Sequence, residues 1–199
     1  AKLARLARAG FEVPRGFCLT TRAYQAFVKN AGITATLRMD LGRKSMEDMR
    51  WEEIWDAALR IRARFLAQPL DGVLRETIAQ GLTGFNASTP LAVRSSAIGE
   101  DTAGRSFAGL HESIIGVSGQ QAVEDAVRLV WASLWSDAAL LYRKELGLDP
   151  ANSRMAVLVQ AMVDADRSGV AFARDPRDMR KDIALIESVP GPCSLLNRK

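Results

Sequence analysis

The sequence predicts an α+β fold in which a mostly antiparallel sheet is flanked by helices, with a helical insertion. Two observations favour it. Apolar residues recur at helical spacing over residues 49–65, and short β-branched runs such as MAVLVQAMV, residues 155–163, dominate the later part. The last of these runs follow one another with only turns between them, which favours antiparallel pairing over parallel strands joined by helices.

The first part, residues 1–89, is predicted to be mainly helical. Capping residues and closing glycines delimit its helices, and FEVPRGFCLTT, residues 11–21, is predicted to be extended with a turn at residues 14–16. A Ser45–Asp48 capping pattern starts the longest helix, whereas residues 33–44 are polar and aperiodic and are predicted to form a loop. Helices are predicted over residues 2–9, 20–30, 45–67 and 70–81.

The second part, residues 90–199, is predicted to be mixed α+β. It follows NASTP, residues 86–90, a linker-like stretch that marks the most plausible internal boundary. Strands are predicted over residues 91–94, 111–117, 155–163, 168–175 and 182–188. Helices are predicted over residues 118–134 and 137–146.

Composition narrows the class of protein. The chain has 199 residues, 48% of them hydrophobic and 25% charged, which is typical of a globular domain in solution. The two cysteines match no metal or redox spacing, and a single histidine excludes a multi-histidine metal site. We recognise no signal peptide and no apolar run of membrane-spanning length. These features predict a cytoplasmic protein without a membrane partner.

A net charge of +4 raises the question of nucleic-acid binding. The basic residues are scattered and interleaved with acids, as in RWEEIWDAALRIRARF, and no aromatic–basic stacking platform appears. A few arginines directed at a small polyanion would give the same excess of charge. We therefore expect no nucleic-acid partner.

The common nucleotide and hydrolase motifs are absent. GRKS, residues 42–45, lacks the upstream glycine and the preceding strand of a phosphate-binding P-loop, so a helix-cap role for Ser45 is favoured. No G-x-G-x-x-G follows a strand. His111 is the only possible histidine base, and nothing in the spacing assigns it a serine nucleophile.

The stretch with the clearest chemistry is LAVRSSAIGEDTAGRSFAGLHES, residues 91–113. Arg94 lies at a predicted strand end, where its guanidinium fork can meet phosphate oxygens. Gly104 and Gly109 permit tight turns whose backbone amides bind anions. The stretch can thus form a flap over a polyphosphate. The alternative is a surface loop in which Arg94 pairs with Glu100 or Asp101.

The segment VRSSAIGEDTAGRSFAGLHES closely resembles the signature of the nucleotide-binding domain shared by phosphoenolpyruvate synthase, pyruvate phosphate dikinase and the rifampin phosphotransferases. That signature has VRSSA, an acidic pair, SFAG, and a glutamate followed by Thr or Ser. Three further segments resemble the same family in the same order, and the resemblance covers about residues 1–32 and 91–189. They are AGFEVPRGFCLTTRAYQAF, AVRLVWASLWSDAALLYRKELGLD and VLVQAMVDADRSGVAFARDP.

The resemblance implies an ATP-grasp fold, with residues 1–89 and 90–199 in one lobe of the ATP clamp. It implies that Arg94 contacts the phosphates and is catalytic. It further implies that Gly109 offers its backbone to the phosphates, that Ser113 offers a hydroxyl to the nucleotide, and that Gln160 lies at the adenine side. Structural alternatives remain open: a turn for Gly109, pairing within the sheet for Ser113, and a bond to a buried backbone group for Gln160.

The resemblance also has gaps. The family's phosphate-binding lysine lies in a Gly-Gly-Lys segment that has no counterpart here, and Lys2 does not take its role. Acidic Mg²⁺ ligands normally follow a Gly-Leu-Gly-Glu stretch, whereas this chain reads IESVPGPCSLLNRK. We therefore expect the Mg²⁺ ligands in a lobe that the chain lacks, and assign no metal ligand within it. His111 falls where the family often has glutamine and is not the phosphorylated histidine.

These features predict the ATP-binding lobe of a phosphotransferase resembling phosphoenolpyruvate synthase. The parent reaction would convert ATP, pyruvate and water to phosphoenolpyruvate, AMP and phosphate, through a phosphohistidine on another domain. ATP is the expected partner of this chain, and pyruvate or another acceptor would bind elsewhere. The isolated chain is predicted to have weak or no activity. The alternatives are the lobe of a rifampin-phosphotransferase-like drug kinase and a degenerate, non-catalytic module that binds a nucleotide or a partner.

Overall fold

The computed structural model describes residues 2–97, 109–175 and 182–191. The chain divides into two compact units, Ala1–Met162 and Val163–Lys199. Within the described ranges, no helix is both long enough and apolar enough to cross a membrane.

The first unit contains most of the secondary structure. Its helices are α1 Lys2–Arg8, α2 Thr21–Asn30, α3 Ile33–Leu41, α4 Trp51–Ala67, α5 Gly72–Leu82, α6 Gln120–Ser133 and α7 Asp137–Glu145, and a 3₁₀ turn spans Pro150–Asn152. Its strands are β1 Gly16–Leu19, β2 Leu91–Ala97, β3 Ser113–Val117 and β4 Met155–Ala161. The second unit contains β5 Arg167–Phe172 and β6 Leu185–Pro190.

The sheet of the first unit has the strand order β1-β4-β2-β3, and each neighbouring pair is antiparallel. In the second unit, β5 and β6 form a separate antiparallel pair. The predicted α+β fold, with helices flanking a mostly antiparallel sheet, is confirmed. Its strands are short, and the valines and isoleucines of β3 and β4 fit a pleated, half-buried surface.

The core lies between one face of this sheet and the helices. α6 packs against β2, β3 and β4, and it also contacts α4 and α5. Val123, Val127, Val130 and Trp131 recur at helical spacing on α6 and are fully buried. An aromatic cluster with ring centroids 5.2–6.4 Å apart fills the centre of the core. It comprises Tyr24, Phe27, Phe65, Trp131 and Trp135.

Residues on both sides of the predicted 89/90 boundary contribute to this core. The buried carboxylate of Glu124 on α6 accepts a hydrogen bond from Arg75 of α5 at 3.1 Å. Arg128 of α6 donates to the backbone carbonyl oxygens of Leu66 and Gln68 at the end of α4. The helices before the linker thus pack on the α6 that follows it.

The prediction of a loop over residues 33–44 was wrong, because α3 occupies Ile33–Leu41. Ile33, Leu37 and Leu41 recur at a spacing of four and place one apolar face of the helix on the core. Their burial against neighbouring elements outweighs the weak helix propensity of the intervening threonines.

The longest helix also begins later than predicted, at Trp51 instead of Ser45. Ser45 and Asp48 do bond to each other, with the Ser45 hydroxyl donating to the Asp48 carboxylate at 2.7 Å. They close an isolated turn ahead of the helix. At the helix start, the carboxylate of Glu53 accepts from the backbone N–H of Arg50 at 2.9 Å and satisfies one free amide donor.

Candidate functional site

Strand alternation gives the sheet of the first unit two unlike faces. On the core face, Leu91 and Val93 of β2 lie beside Val157 and Val159 of β4, and all four are buried. On the opposite face, β2 presents Ala92, Arg94 and Ser96. We call this second surface the polar face. It carries three of the four residues to which the sequence assigns a role in nucleotide binding.

Arg94 is exposed at the centre of the polar face. Its register partners are Ser113 on β3 and Leu158 on β4. Residues directly opposite each other in antiparallel strands have Cβ atoms about 5 Å apart, so Ser113 and Arg94 are immediate neighbours. Among residues 2–97, 109–175 and 182–191, neither side chain has a hydrogen-bond or ion-pair partner. No described residue therefore occupies either donor.

The pairing of β2 and β3 shifts by one residue just beyond this pair. Leu91 pairs with Val117 and Val93 pairs with Ile114, so β3 carries an extra residue at Ile115–Gly116. Gly116 has a φ of +74°, which favours glycine at such a bulge. The bulge lets Val117 and Ile114 both face the core while Ser113 stays opposite Arg94.

Gln160 lies on the same face, opposite Ala92 of β2 and Gly16 of β1. It is diagonal to Arg94, a relation that places Cβ atoms about 7 Å apart. The Gln160 side chain is buried, and its Nε2 donates to the backbone carbonyl of Pro14 at 2.9 Å. Gln160 thus bonds to a backbone carbonyl, as its structural alternative requires, although this carbonyl belongs to a half-buried residue. From the described residues, Oε1 receives no hydrogen bond.

Gly16 is a residue of the site that sequence reasoning missed. A Cβ at Gly16 would lie 2.5 Å from the carbonyl oxygen of Val159 and 3.2 Å from the Cβ of Gln160. Any side chain there would push β1 away from β4 or displace Gln160. The sequence signal was the PRG triplet, which we interpreted only as a turn.

Arg15 holds in place the segment that leads into β1. Its Nη1 donates to the carbonyl oxygen of Gly84 at 2.7 Å, and its guanidinium lies 5.2 Å from the Phe85 ring centroid. Its own carbonyl accepts from the N–H of Ala161 at 2.8 Å. These contacts fix the backbone carbonyl to which Gln160 donates.

The predicted flap is only partly within the described residues. Residues 98–108, including Gly104, Glu100 and Asp101, lie outside them, so the Arg94 ion pair with either acid is not tested. Ser95, Ser96 and Ala97 continue β2 and pair with β4, so the strand runs three residues beyond the predicted end. Gly109 lies in a turn with φ +80°. An added Cβ would contact no neighbouring atom, but this backbone conformation would be strained for any other residue.

The end of this loop is anchored to the core. His111 is only 9% exposed, and the N–H of Glu112 donates to the Ser133 hydroxyl at 3.0 Å. Ser133 donates in turn to the carbonyl oxygen of Val130 within α6. The Glu112 carboxylate pairs with Arg62 of α4 at 3.4 Å. Ser113, the first residue of β3, therefore follows a residue that is bonded to the core helices.

Burial also shifts the pKa values of the ionisable side chains around this anchor. Burial, and then the positive charge of Arg143, lower the pKa of His111 to about 4. Arg143 is itself buried: it donates to the carbonyl oxygen of Leu134 at 2.7 Å, and burial lowers its pKa to about 10. Burial raises the pKa of Tyr24, which accepts from the Trp135 indole at 3.0 Å. His111 is thus neutral near pH 7.

Within residues 2–97, 109–175 and 182–191, no three His, Cys, Asp or Glu side chains are grouped so that they could hold a metal ion. The three candidate residues on the polar face, Arg94, Ser113 and Gln160, contribute a guanidinium, a hydroxyl and an amide. These groups suit an anion and a hydrogen-bonding base, and they offer no carboxylate for Mg²⁺.

Comparison with known proteins agrees with the resemblance seen in the sequence. Residues 1–193 match the family described as "Pyruvate phosphate dikinase, AMP/ATP-binding domain". The chain is 38% identical to the phosphoenolpyruvate synthase of Aeropyrum pernix, over 96% of this chain and 24% of that protein. It is 33% identical to the phosphoenolpyruvate synthase of Escherichia coli, over 95% of this chain and 24% of that protein.

A rifampicin phosphotransferase from Streptomyces sviceus is 35% identical, over 90% of this chain and 20% of the relative. The chain thus spans between a fifth and a quarter of the length of these relatives, each of which is named as a phosphate-transferring enzyme or a synthase. With the family model covering nearly every residue, this chain belongs to the pyruvate phosphate dikinase AMP/ATP-binding domain family.

Proposed function

We propose that this chain is the ATP-binding lobe of a phosphotransferase that resembles phosphoenolpyruvate synthase, and that both of its parts belong to one ATP-grasp lobe. One observation carries the proposal. Arg94, Ser113 and Gln160 share the polar face of the sheet, and the guanidinium of Arg94 is exposed and engages none of the described residues.

Each residue would contribute different chemistry to ATP. The Arg94 guanidinium would neutralise phosphate charge and orient the group for transfer, which is the main source of catalysis in phosphoryl transfer. The Ser113 hydroxyl would bond to the nucleotide. Gln160 would offer its Oε1 to the adenine side, while Pro14 holds its Nε2. Gly109 would present a backbone N–H from its left-handed turn.

Mg²⁺ would accompany the ATP, since phosphoryl transfer uses divalent cations to neutralise developing charge. We propose that its carboxylate ligands belong to a second lobe of a longer parent protein. The parent would act in the cytoplasm and transfer phosphate through a histidine on a further domain. Pyruvate is the acceptor we propose, with phosphoenolpyruvate, AMP and phosphate as products.

Calorimetric titration with ATP and Mg²⁺ tests the lobe directly. Arg94→Gln should weaken binding about tenfold or more, the usual scale for losing a charged hydrogen-bond partner. Arg22→Gln is the matched control, because it removes the same charge from an exposed position on α2. Equal effects of both substitutions, or no binding by the unaltered chain, would contradict the proposal.

A second measurement addresses turnover. We expect the isolated chain to hydrolyse ATP weakly or not at all, because no metal-binding cluster occurs among its described residues. Robust hydrolysis that Arg94→Gln abolishes would show that this expectation is wrong. A degenerate module would instead bind ATP, if at all, with no dependence on Arg94.

A further inference from the structure

A cavity of about 660 Å³ lies on the helical side of the first unit, away from the polar face. One wall is a single face of α3, on which Thr34, Leu37, Arg38 and Leu41 recur at helical spacing. The opposite wall is the segment that follows α7. α3 and α7 pack on α4, α4 packs on α6, and α6 covers the core face of the sheet. The sheet and these helices therefore separate the cavity from Arg94.

The lining has the composition of a small-molecule site. Leu37, Leu41, Met46 and Leu148 give it apolar walls, and the buried indole of Trp135 closes its floor. Small-molecule sites typically have volumes of about 300–1,000 Å³, mostly apolar walls and a few polar groups that fix orientation. The size and lining of this cavity fall in that class.

Most charged groups of the cavity are already engaged. Lys44 bonds to Glu53 at 2.8 Å, and Lys144 donates to the carbonyl oxygen of Met49. The Asp149 carboxylate accepts from the backbone N–H of Ala151 at 2.9 Å and caps the 3₁₀ turn. These bonds hold the loop walls in place.

Two charged side chains at the cavity, Arg38 and Glu47, have no hydrogen-bond or ion-pair partner among the residues that the structure describes. Arg38 projects from the α3 wall beside two leucines. Its charge is reinforced by Lys44 and Lys144, which keep spare N–H donors, whereas Glu47 opposes it. The lining thus carries three cationic side chains and two anionic ones, Glu47 and Asp149, so its formal charge is +1.

We propose that this cavity binds a small amphipathic organic anion, in which a carboxylate or sulfonate meets Arg38 and an apolar ring or chain lies along α3. The site is independent of the nucleotide-binding face, and the proposal does not depend on the function of that face.

The test uses 1-anilinonaphthalene-8-sulfonate, an apolar ring system with one sulfonate, as the probe. Its fluorescence should rise saturably with one site per chain. Arg38→Gln should weaken binding about tenfold, whereas Glu47→Gln should strengthen it by removing a like charge. Arg22→Gln should leave binding unchanged. Saturating ATP should not displace the probe.

Two further variants separate this site from other apolar surfaces. Ala151→Trp places a ring in the cavity from an exposed position and should abolish binding while circular dichroism shows an unchanged fold. Trp55→Gln removes an exposed apolar side chain of α4 outside the cavity and should have no effect. Binding that is lost in Trp55→Gln, displaced by ATP, or insensitive to both Arg38→Gln and Ala151→Trp would overturn the proposal.

Discussion

The neutral, buried histidine that anchors the candidate flap predicts an acid sensitivity of known sign. The ordinary histidine pKa of 6.5 is lowered to about 4 in the folded chain. The unfolded chain therefore binds a proton that the folded chain does not, between these two values. The free energy of unfolding should be independent of this group above pH 6.5 and should fall as the pH drops from 6.5 towards 4.

The magnitude follows from the size of the shift. A difference of one pKa unit corresponds to about 1.4 kcal/mol, so full protonation costs roughly 3 kcal/mol. Between pH 7 and pH 5, linkage gives a loss of about 2 kcal/mol from this histidine alone. His111→Gln removes the titration and keeps a polar side chain of similar length. The unaltered chain has no other histidine, so the difference between the two proteins isolates one group.

Urea unfolding monitored by tryptophan fluorescence at pH 7, 6 and 5 measures both stabilities. The free-energy difference between His111→Gln and the unaltered chain should change by about 2 kcal/mol over this range, in favour of the variant at low pH. A difference that stays constant with pH would refute the reasoning, as would a change of opposite sign. A constant difference would mean that the folded chain protonates His111 as readily as the unfolded chain does, and a change of opposite sign would mean that it does so more readily.

Two packing predictions concern the edges of the site. Gly16→Ala should destabilise the chain by about 1–3 kcal/mol, because its Cβ would lie 2.5 Å from the Val159 carbonyl oxygen. Gly72→Ala is its control, since an added Cβ meets nothing within 4 Å, and equal losses in urea unfolding would contradict the clash. Ser133→Ala should cost about 1–3 kcal/mol by removing the hydroxyl that accepts from Glu112; an unchanged unfolding midpoint would show that this bond contributes nothing.

Much of the fold could be predicted from local patterns. The β-branched run at residues 155–163 becomes β4, the central strand beside β2, because apolar residues on its core face meet α6. Glycine and proline residues mark the end of α7 and the start of α5, so these two helix ends could be predicted to within a few residues of their observed positions. α3 was missed because only three of its apolar residues, Ile33, Leu37 and Leu41, lie on the core face, and its stability comes from packing on α2 and α4 rather than from helix propensity.

In the candidate site too, residues of a local motif could be predicted, whereas contacts between distant segments could not. Arg94 and Ser113 could be identified from a contiguous motif, and strand register then placed them opposite each other. The bond from Gln160 to the carbonyl of Pro14 joins residues 146 positions apart, and no local pattern encodes it. The surroundings of His111 are equally non-local, since Arg143 and Ser133, which both act on its pKa, come from two other segments. The role of Gly16 could not be predicted without knowing which strand pairs with β1.

The central claim is that ATP binds the polar face of the sheet, and amide nuclear magnetic resonance of the isotope-labelled chain during titration with ATP and Mg²⁺ tests it most directly. We expect the largest shift changes at Arg94, Ser113, Gly109 and the side-chain amide of Gln160. Residues lining the cavity beside α3 should be unaffected. Changes that cluster at that cavity, or a spectrum that ATP leaves unchanged, would contradict the account.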